Sequence, residues 1–400
     1  MKQYLKFPLV ALLGVMLGTS FTACSEDDEP EGIGNNGADN TEVVAANKAI
    51  ITSYVNNVVV KTYSNLADAS ISLHEACVAL KNNPSQAGVQ AACDLWIEAR
   101  KYWELSEAFL YGAAADYAID PHIDSWPLDK AQLDLTLKNS TLIDNMREHG
   151  CNFDGFGTLG SGLLGFHAVE YMLFRDGGAR NIEGGIDKDG VAFAALSETE
   201  LVYCAAVAED LRNQCIRLEA AWAGVEGVTE EKQNILAETE LEPSLNYGAM
   251  MISAGEQGNY KYRTQISALT EILEGAATIA DEVGNTKITD PVASGNVLDV
   301  ESWYSWNSIA DFADNIRSVK AAYYGHTGEE VLEASVSTYL AKLNPTLDAE
   351  IKAAIDDAIR EIEAMPAPFR DHLTEAESAK AKAACNVLFA KLEEAIEAIN

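Results

Sequence analysis

The run Gly165-Phe166-His167-Ala168-Val169-Glu170 is the sharpest chemical feature of the sequence. An imidazole and a carboxylate three residues apart share one face of a helix. Such a pair can hold a divalent metal or work as an acid–base couple. Gly165 beside them lets another backbone or a ligand come close. The competing reading is a core histidine bonded to its own neighbouring glutamate, a pattern common by chance.

Three further groups carry polar chemistry. Asp120, His122, Asp124 and Asp129 surround Trp126-Pro127. They offer hard oxygen donors and one nitrogen, or else plain turn chemistry. Arg100, Glu104 and Glu107 form one stripe, where an Arg–Glu pair four residues apart is usually a surface ion pair of small value. Ser302, Ser305, Asn307, Asp311, Asn315 and Arg317 gather around a helix start. Asn307, Asp311 and Asn315 oppose the apolar stripe Ile309, Phe312, Ile316, Val319 and Tyr323, so a solvated face or an N-cap at Asn307 or Ser308 is the simpler expectation.

Several enzyme classes are disfavoured. His74-Glu75 lacks the second histidine of HExxH. No G-x-S-x-G elbow is present. The His-x-x-Glu at 167–170 runs in the reverse order to the repeated Glu-x-x-His of di-iron bundles. The cysteines show no CxxC spacing, so a thiolate zinc site is not expected.

These groups must be positioned by helices. Apolar residues repeat at three and four along most of the chain, and alternating strand-like runs are nearly absent. The spacing predicts helices over 42–65, 67–82, 88–111, 130–148, 159–175, 197–222, 228–240, 245–283, 306–324, 329–343, 347–364 and 374–398. The expected fold class is all-α, with two helical-bundle domains packed side by side. They span 42–180 and 190–400 and meet at the Gly-rich stretch 177–190. The segments Tyr117–Asp129 and Asp290–Trp306 mix carboxylates with tryptophan and read as functional loops.

Residues 1–23 read as an export signal: Lys2 and Lys6, then an apolar run too short to span a bilayer. Phe21-Thr22-Ala23-Cys24 resembles a lipobox, which makes Cys24 the expected lipidation site and a membrane the expected partner. Residues 24–41, beginning with an acidic run, read as a flexible tether. The implied location is the outer membrane, as an anchored lipoprotein facing the periplasm or the cell surface. The formal net charge of −34 repels nucleic acid and favours cations.

The segments ARKYWELSEAFLYG (99–112), IDSWPLD (123–129), GLLGFHAVEYMLF (162–174) and SWNSIADFADNIRSVKAAYYG (305–325) together resemble the imelysin family, the insulin-cleaving or M75 peptidase-like proteins, whose signature is GxHxxE. The resemblance implies two helical bundles with a site at their junction, in envelope proteins often linked to iron uptake. It selects His167 and Glu170 from the signature and Asp124 and Trp126 from the loop. Arg100 and Glu107 come from the helix, and Ser305, Asn307 and Asp311 from the C-terminal motif. The expected metal ligands are His167, Glu170, Asp124 and Glu107, for a divalent or ferric ion such as iron, zinc or calcium. Arg100, Trp126, Ser305, Asn307 and Asp311 are expected to bind ligand. A protein that binds a metal or a small metal-containing ligand is the first expectation. The alternative is an M75-type metallopeptidase, with His167 and Glu170 catalytic.

Overall fold

A long helical rod opens the described part of the chain. The computed structural model describes residues 37–400, so the signal at 1–23, Cys24 and most of the expected tether lie outside the described residues. Helix α1 (Gly37–Tyr54) begins inside the stretch expected to be flexible. A π-helical turn, Val55–Val59, joins it without a break to α2 (Val60–Asn82), so no boundary falls near residue 66.

The remaining helices follow in order. The first group is α3 (Gln86–Glu104), α4 (Ala113–Asp116), α5 (Ile119–Ile123), α6 (Lys130–Thr136), α7 (Ser140–His149) and α8 (Gly165–Leu173). Next come α9 (Glu198–Ala223), α10 (Glu230–Thr239), α11 (Tyr247–Ile252), α12 (Gln265–Glu282) and α13 (Thr289–Ser294). The chain ends with α14 (Ser308–Tyr324), α15 (Val336–Leu343), α16 (Pro345–Glu363) and α17 (Ala376–Ile399). Among the described residues the fold is all-helical but for two short hairpins, pairing Phe174–Arg175 with Gly178–Ala179 and Gly185–Ile186 with Ala192–Phe193.

Capping residues explain where the helices differ from their expected lengths. Asn139 accepts from Leu142 N and splits the helix expected over 130–148. Thr264 caps α12 after a loop, so the expected 245–283 becomes two helices. Ser335 starts α15 late, at 336 instead of 329.

Packing gathers α2, α3, α8 and α9 together, and α12, α14, α16 and α17 together. Helix α3 touches α14, and the 3-10 turn Glu107–Phe109 touches α12 and α14, which joins the two groups. Residues Glu42–Asn400 form one compact unit. Helix α9 therefore sits with the first group although it follows the 177–190 stretch. Gly177 serves packing, since a Cβ there would lie 2.3 Å from the Trp306 ring.

Candidate functional site

Helix α3 sends Arg100, Trp103 and Glu104 into the interior, all at 0% exposure. The Arg100–Glu104 pair is therefore no surface ion pair, contrary to the usual expectation for its spacing. Arg100 Nη2 lies 2.5 Å from Glu104 and 2.7 Å from Glu301, and Nη1 pairs with Asp124. Its Nε is 3.6 Å from Asp311. A buried guanidinium survives only if carboxylates surround it.

Asp124 follows α5 and enters the same space. Its Oδ2 accepts from Trp103 Nε1 at 2.6 Å. Burial would raise its carboxyl, but Arg100 and His167 outweigh that and hold it far below the usual carboxylate range. The loop approaches because Gly165 is glycine: a Cβ there would lie 2.0 Å from Ile123 O, and its φ is +70°. The first residue of the signature thus brings Asp124 beside His167.

His167 is 1% exposed. Its Nδ1 meets Glu170 Oε2 at 2.9 Å, the intrahelical bond that a structural histidine would make. Its other nitrogen faces the centre: Nε2 lies 3.2 Å from Asp124 Oδ1 and 3.9 Å from Glu301 Oε1. The Asp124 contact is an ion pair that lacks hydrogen-bond geometry. Burial lowers the imidazolium pKa, but the Asp124 and Glu170 carboxylates prevail and lift it to about 9.

Glu170 is saturated elsewhere. Its Oε1 accepts from Tyr304 N at 3.0 Å, Ser305 N at 2.8 Å and Ser305 Oγ at 2.7 Å. It therefore ties α8 to the loop before α14 and orients His167, the arrangement of a carboxylate behind a ligating histidine. In that loop Ser302 and Trp306 hold positive φ values of 52° and 61°. Ser302 Oγ donates to Asp311, and Ser308 Oγ donates to Glu301 O at 2.6 Å. Strain of this kind persists only where surrounding contacts over-determine the backbone.

The expected polar stripe of α14 is not solvated. Asp311 and Asn315 are 1% and 0% exposed. Asn307 donates to Asp311 Oδ1 at 2.6 Å and makes no side-chain cap, and Asn315 donates to Glu104. Burial outweighs Arg100 and lifts Asp311 to about 6. The aspartate-rich loop is divided. Asp129 caps α6, and His122 turns away to Asp210 at 2.7 Å. Trp126 packs edge-on against His167, with centroids 4.7 Å apart.

A cavity of about 370 Å³ adjoins these groups. Its lining includes Glu107, Asp120, Asp124, Trp126, Glu282, Lys287 and Glu301. Burial raises Glu107 well above the carboxylate range, though Lys287 opposes it, and brings Asp120 to about 6. Glu301 is pulled below its usual range, because Lys287 and Arg100 together outweigh its burial.

The structure thus gathers His167, Glu170, Asp124, Arg100, Ser305, Asn307 and Asp311 in one place. Glu107 stands at the cavity side, in a group with Glu104 and Asp124. Sequence reasoning missed Glu301 and Lys287. Glu301 opens the ESWYSW run, so carboxylate beside tryptophan was its signal. Lys287 follows α12 in a π-helical turn, Val283–Lys287, and had no local signal.

Residues 59–399 match the imelysin family, Peptidase M75, and the chain belongs to it. Iron-regulated protein A of Synechococcus elongatus is 24% identical over 357 residues, covering 89% of this chain and 82% of that protein. A crystal structure from Parabacteroides distasonis, named for an iron-regulated protein A precursor, superposes with a TM-score of 0.74 at 29% identity, covering 89% of this chain and 96% of its own. An imelysin-like protein from Psychrobacter arcticum shares the fold at 14% identity, with a TM-score of 0.54 over 89% of this chain and 93% of its own.

Proposed function

We propose that this imelysin-family protein captures a metal ion, iron being the first candidate, through His167 Nε2, Asp124 and Glu301. The observation that carries the reading is the buried Nε2, held against two carboxylates as an ion pair without a hydrogen bond to either. One ligand atom from each of these residues lies within 4.8 Å of the other two. The donor set is an imidazole with hard oxygens, which suits iron, manganese or zinc. The charge balance also favours a cation. Asp124, Glu170, Glu301 and Asp311 outnumber the cationic Arg100, Lys287 and His167 even leaving out Glu104 and Glu107, whose carboxyls burial raises. Iron is favoured because two relatives bear the name iron-regulated protein A.

Glu170 acts behind His167 in this reading, as its orienting partner instead of a ligand. Arg100 fixes Asp124 and Glu301. Trp126 shields the imidazole, and Ser305, Asn307 and Asp311 hold the loop that delivers Glu301. In this reading the protein works in the cell envelope, anchored through a lipid on Cys24, and passes a captured ion or chelate toward import.

The test is equilibrium dialysis with Fe(II), Mn(II) or Zn(II) under reducing, anaerobic conditions. Wild type is expected to retain ion, and His167→Ala to lose most of it. Equal retention by both, or none by either, would refute the site. A peptidase reading draws on Asp120, whose pKa near 6 suits a general base beside the cavity. Cleavage of unfolded protein that chelator abolishes would favour it. For the anchor, Cys24→Ser should move the protein to the soluble fraction, and continued membrane association would remove that part of the proposal.

A further inference from the structure

Resting on the metal reading above, the geometry points to a second cation position in the same site, filled in this chain by the ammonium of Lys287. Glu104, Glu107 and Asp124 each offer a carboxylate oxygen, and these lie within 4.8 Å of one another. Lys287 Nζ stands among the carboxylates, 3.8 Å from Glu104 Oε2, 3.8 Å from Glu107 Oε1 and 3.2 Å from Glu301 Oε2. The Lys287 side chain is only 9% exposed. It reaches inward from the π-helical turn Val283–Lys287 that ends α12, an irregularity often found at functional sites.

The ammonium fills this cage loosely. Two of its three carboxylate distances exceed hydrogen-bond length, and the third, to the buried Glu301 Oε2, is an ion pair without hydrogen-bond geometry. A metal ion would draw the same oxygens to about 2.0–2.2 Å. The ammonium is therefore a tethered stand-in: it supplies positive charge without coordinating. Asp124 belongs both to this group and to the group with His167 and Glu301. It would bridge the two positions if both held metal. Lys287 thus sets the capacity of the site at one ion.

The experiment counts Mn(II) bound per chain in wild type, Lys287→Arg, Lys287→Met and Lys287→Gln. Equilibrium dialysis gives the stoichiometry, and electron paramagnetic resonance distinguishes an isolated Mn(II) from a coupled pair. Wild type and Lys287→Arg should bind one ion and show the isolated signal. Lys287→Met and Lys287→Gln should bind two and show spin coupling. One ion in every protein overturns the second position and leaves the His167 site standing. No ion in any protein overturns both. If an uncharged variant is unfolded alone, millimolar Mn(II) should restore its helical circular dichroism, because the ion replaces the lost charge. Failure of both uncharged variants to fold with Mn(II) present also overturns the proposal.

Discussion

Removing the Glu170 carboxylate should damage the fold and the site together, and the two effects can be separated by choice of substitution. In Glu170→Ala, the amides of Tyr304 and Ser305, the Ser305 hydroxyl and His167 Nδ1 all lose their acceptor. A buried donor left unsatisfied costs about 1–3 kcal/mol. Losing a buried anion offsets part of that cost, so about 4–5 kcal/mol is expected for the four donors together. Glu170→Gln keeps an oxygen for the Tyr304 and Ser305 donors and withdraws acceptance only from His167, at about 1–2 kcal/mol. Its metal affinity should still fall by about 10–100-fold, because the imidazole loses the partner that sets its tautomer and orientation. Urea unfolding followed by circular dichroism gives the first quantity and metal dialysis the second. A Glu170→Ala protein within about 1 kcal/mol of wild type would refute the claim that this carboxylate ties α8 to the 304–305 loop.

Other outcomes follow from the same geometry. Gly165→Ala places a methyl 2.0 Å from Ile123 O at a φ of +70°. It should cost about 3 kcal/mol or more and weaken metal binding with it; an unchanged thermal midpoint would refute the close-approach argument. Arg100→Lys cannot span Asp124, Glu104 and Glu301 at once and should cost about 3–5 kcal/mol in denaturant titrations. A loss under about 1 kcal/mol would show that the guanidinium does not organise the site. With its pKa near 9, His167 is protonated in the metal-free protein at neutral pH. Metal binding must then displace one proton, so apparent affinity should rise about tenfold per pH unit between about pH 6 and 8; a flat profile would exclude His167 as a ligand. The metal-free protein has the opposite sensitivity. The folded pKa lies above the unfolded value, so this histidine's contribution to stability is complete below about pH 6.5 and disappears as the pH rises through about 9.

The helical fold was legible because apolar residues repeat with the helical period, a local property. Helix boundaries were less so: Asn139, Thr264 and Ser335 are unremarkable polar residues until their side chains are seen to accept backbone N–H groups. At the site, the types and spacing of His167 and Glu170 were visible, but their division of labour was not. Only the distant amides of Tyr304 and Ser305 show that Glu170 is already engaged. Arg100 with Glu104 and Asp311 with Asn315 looked like solvated stripes because spacing reports which residues share a face and not what that face meets. Lys287 and Glu301 reach the centre through tertiary packing alone. Both come from segments far in sequence from the signature.

Anomalous diffraction from crystals grown with Fe(II) or Mn(II) would show where the ion sits. One strong peak is expected about 2.0–2.3 Å from His167 Nε2 and from oxygens of Asp124 and Glu301, with Glu170 still bonded to Tyr304 and Ser305. A peak elsewhere, or His167 Nε2 left facing the carboxylates while the protein holds stoichiometric ion in solution, would contradict it.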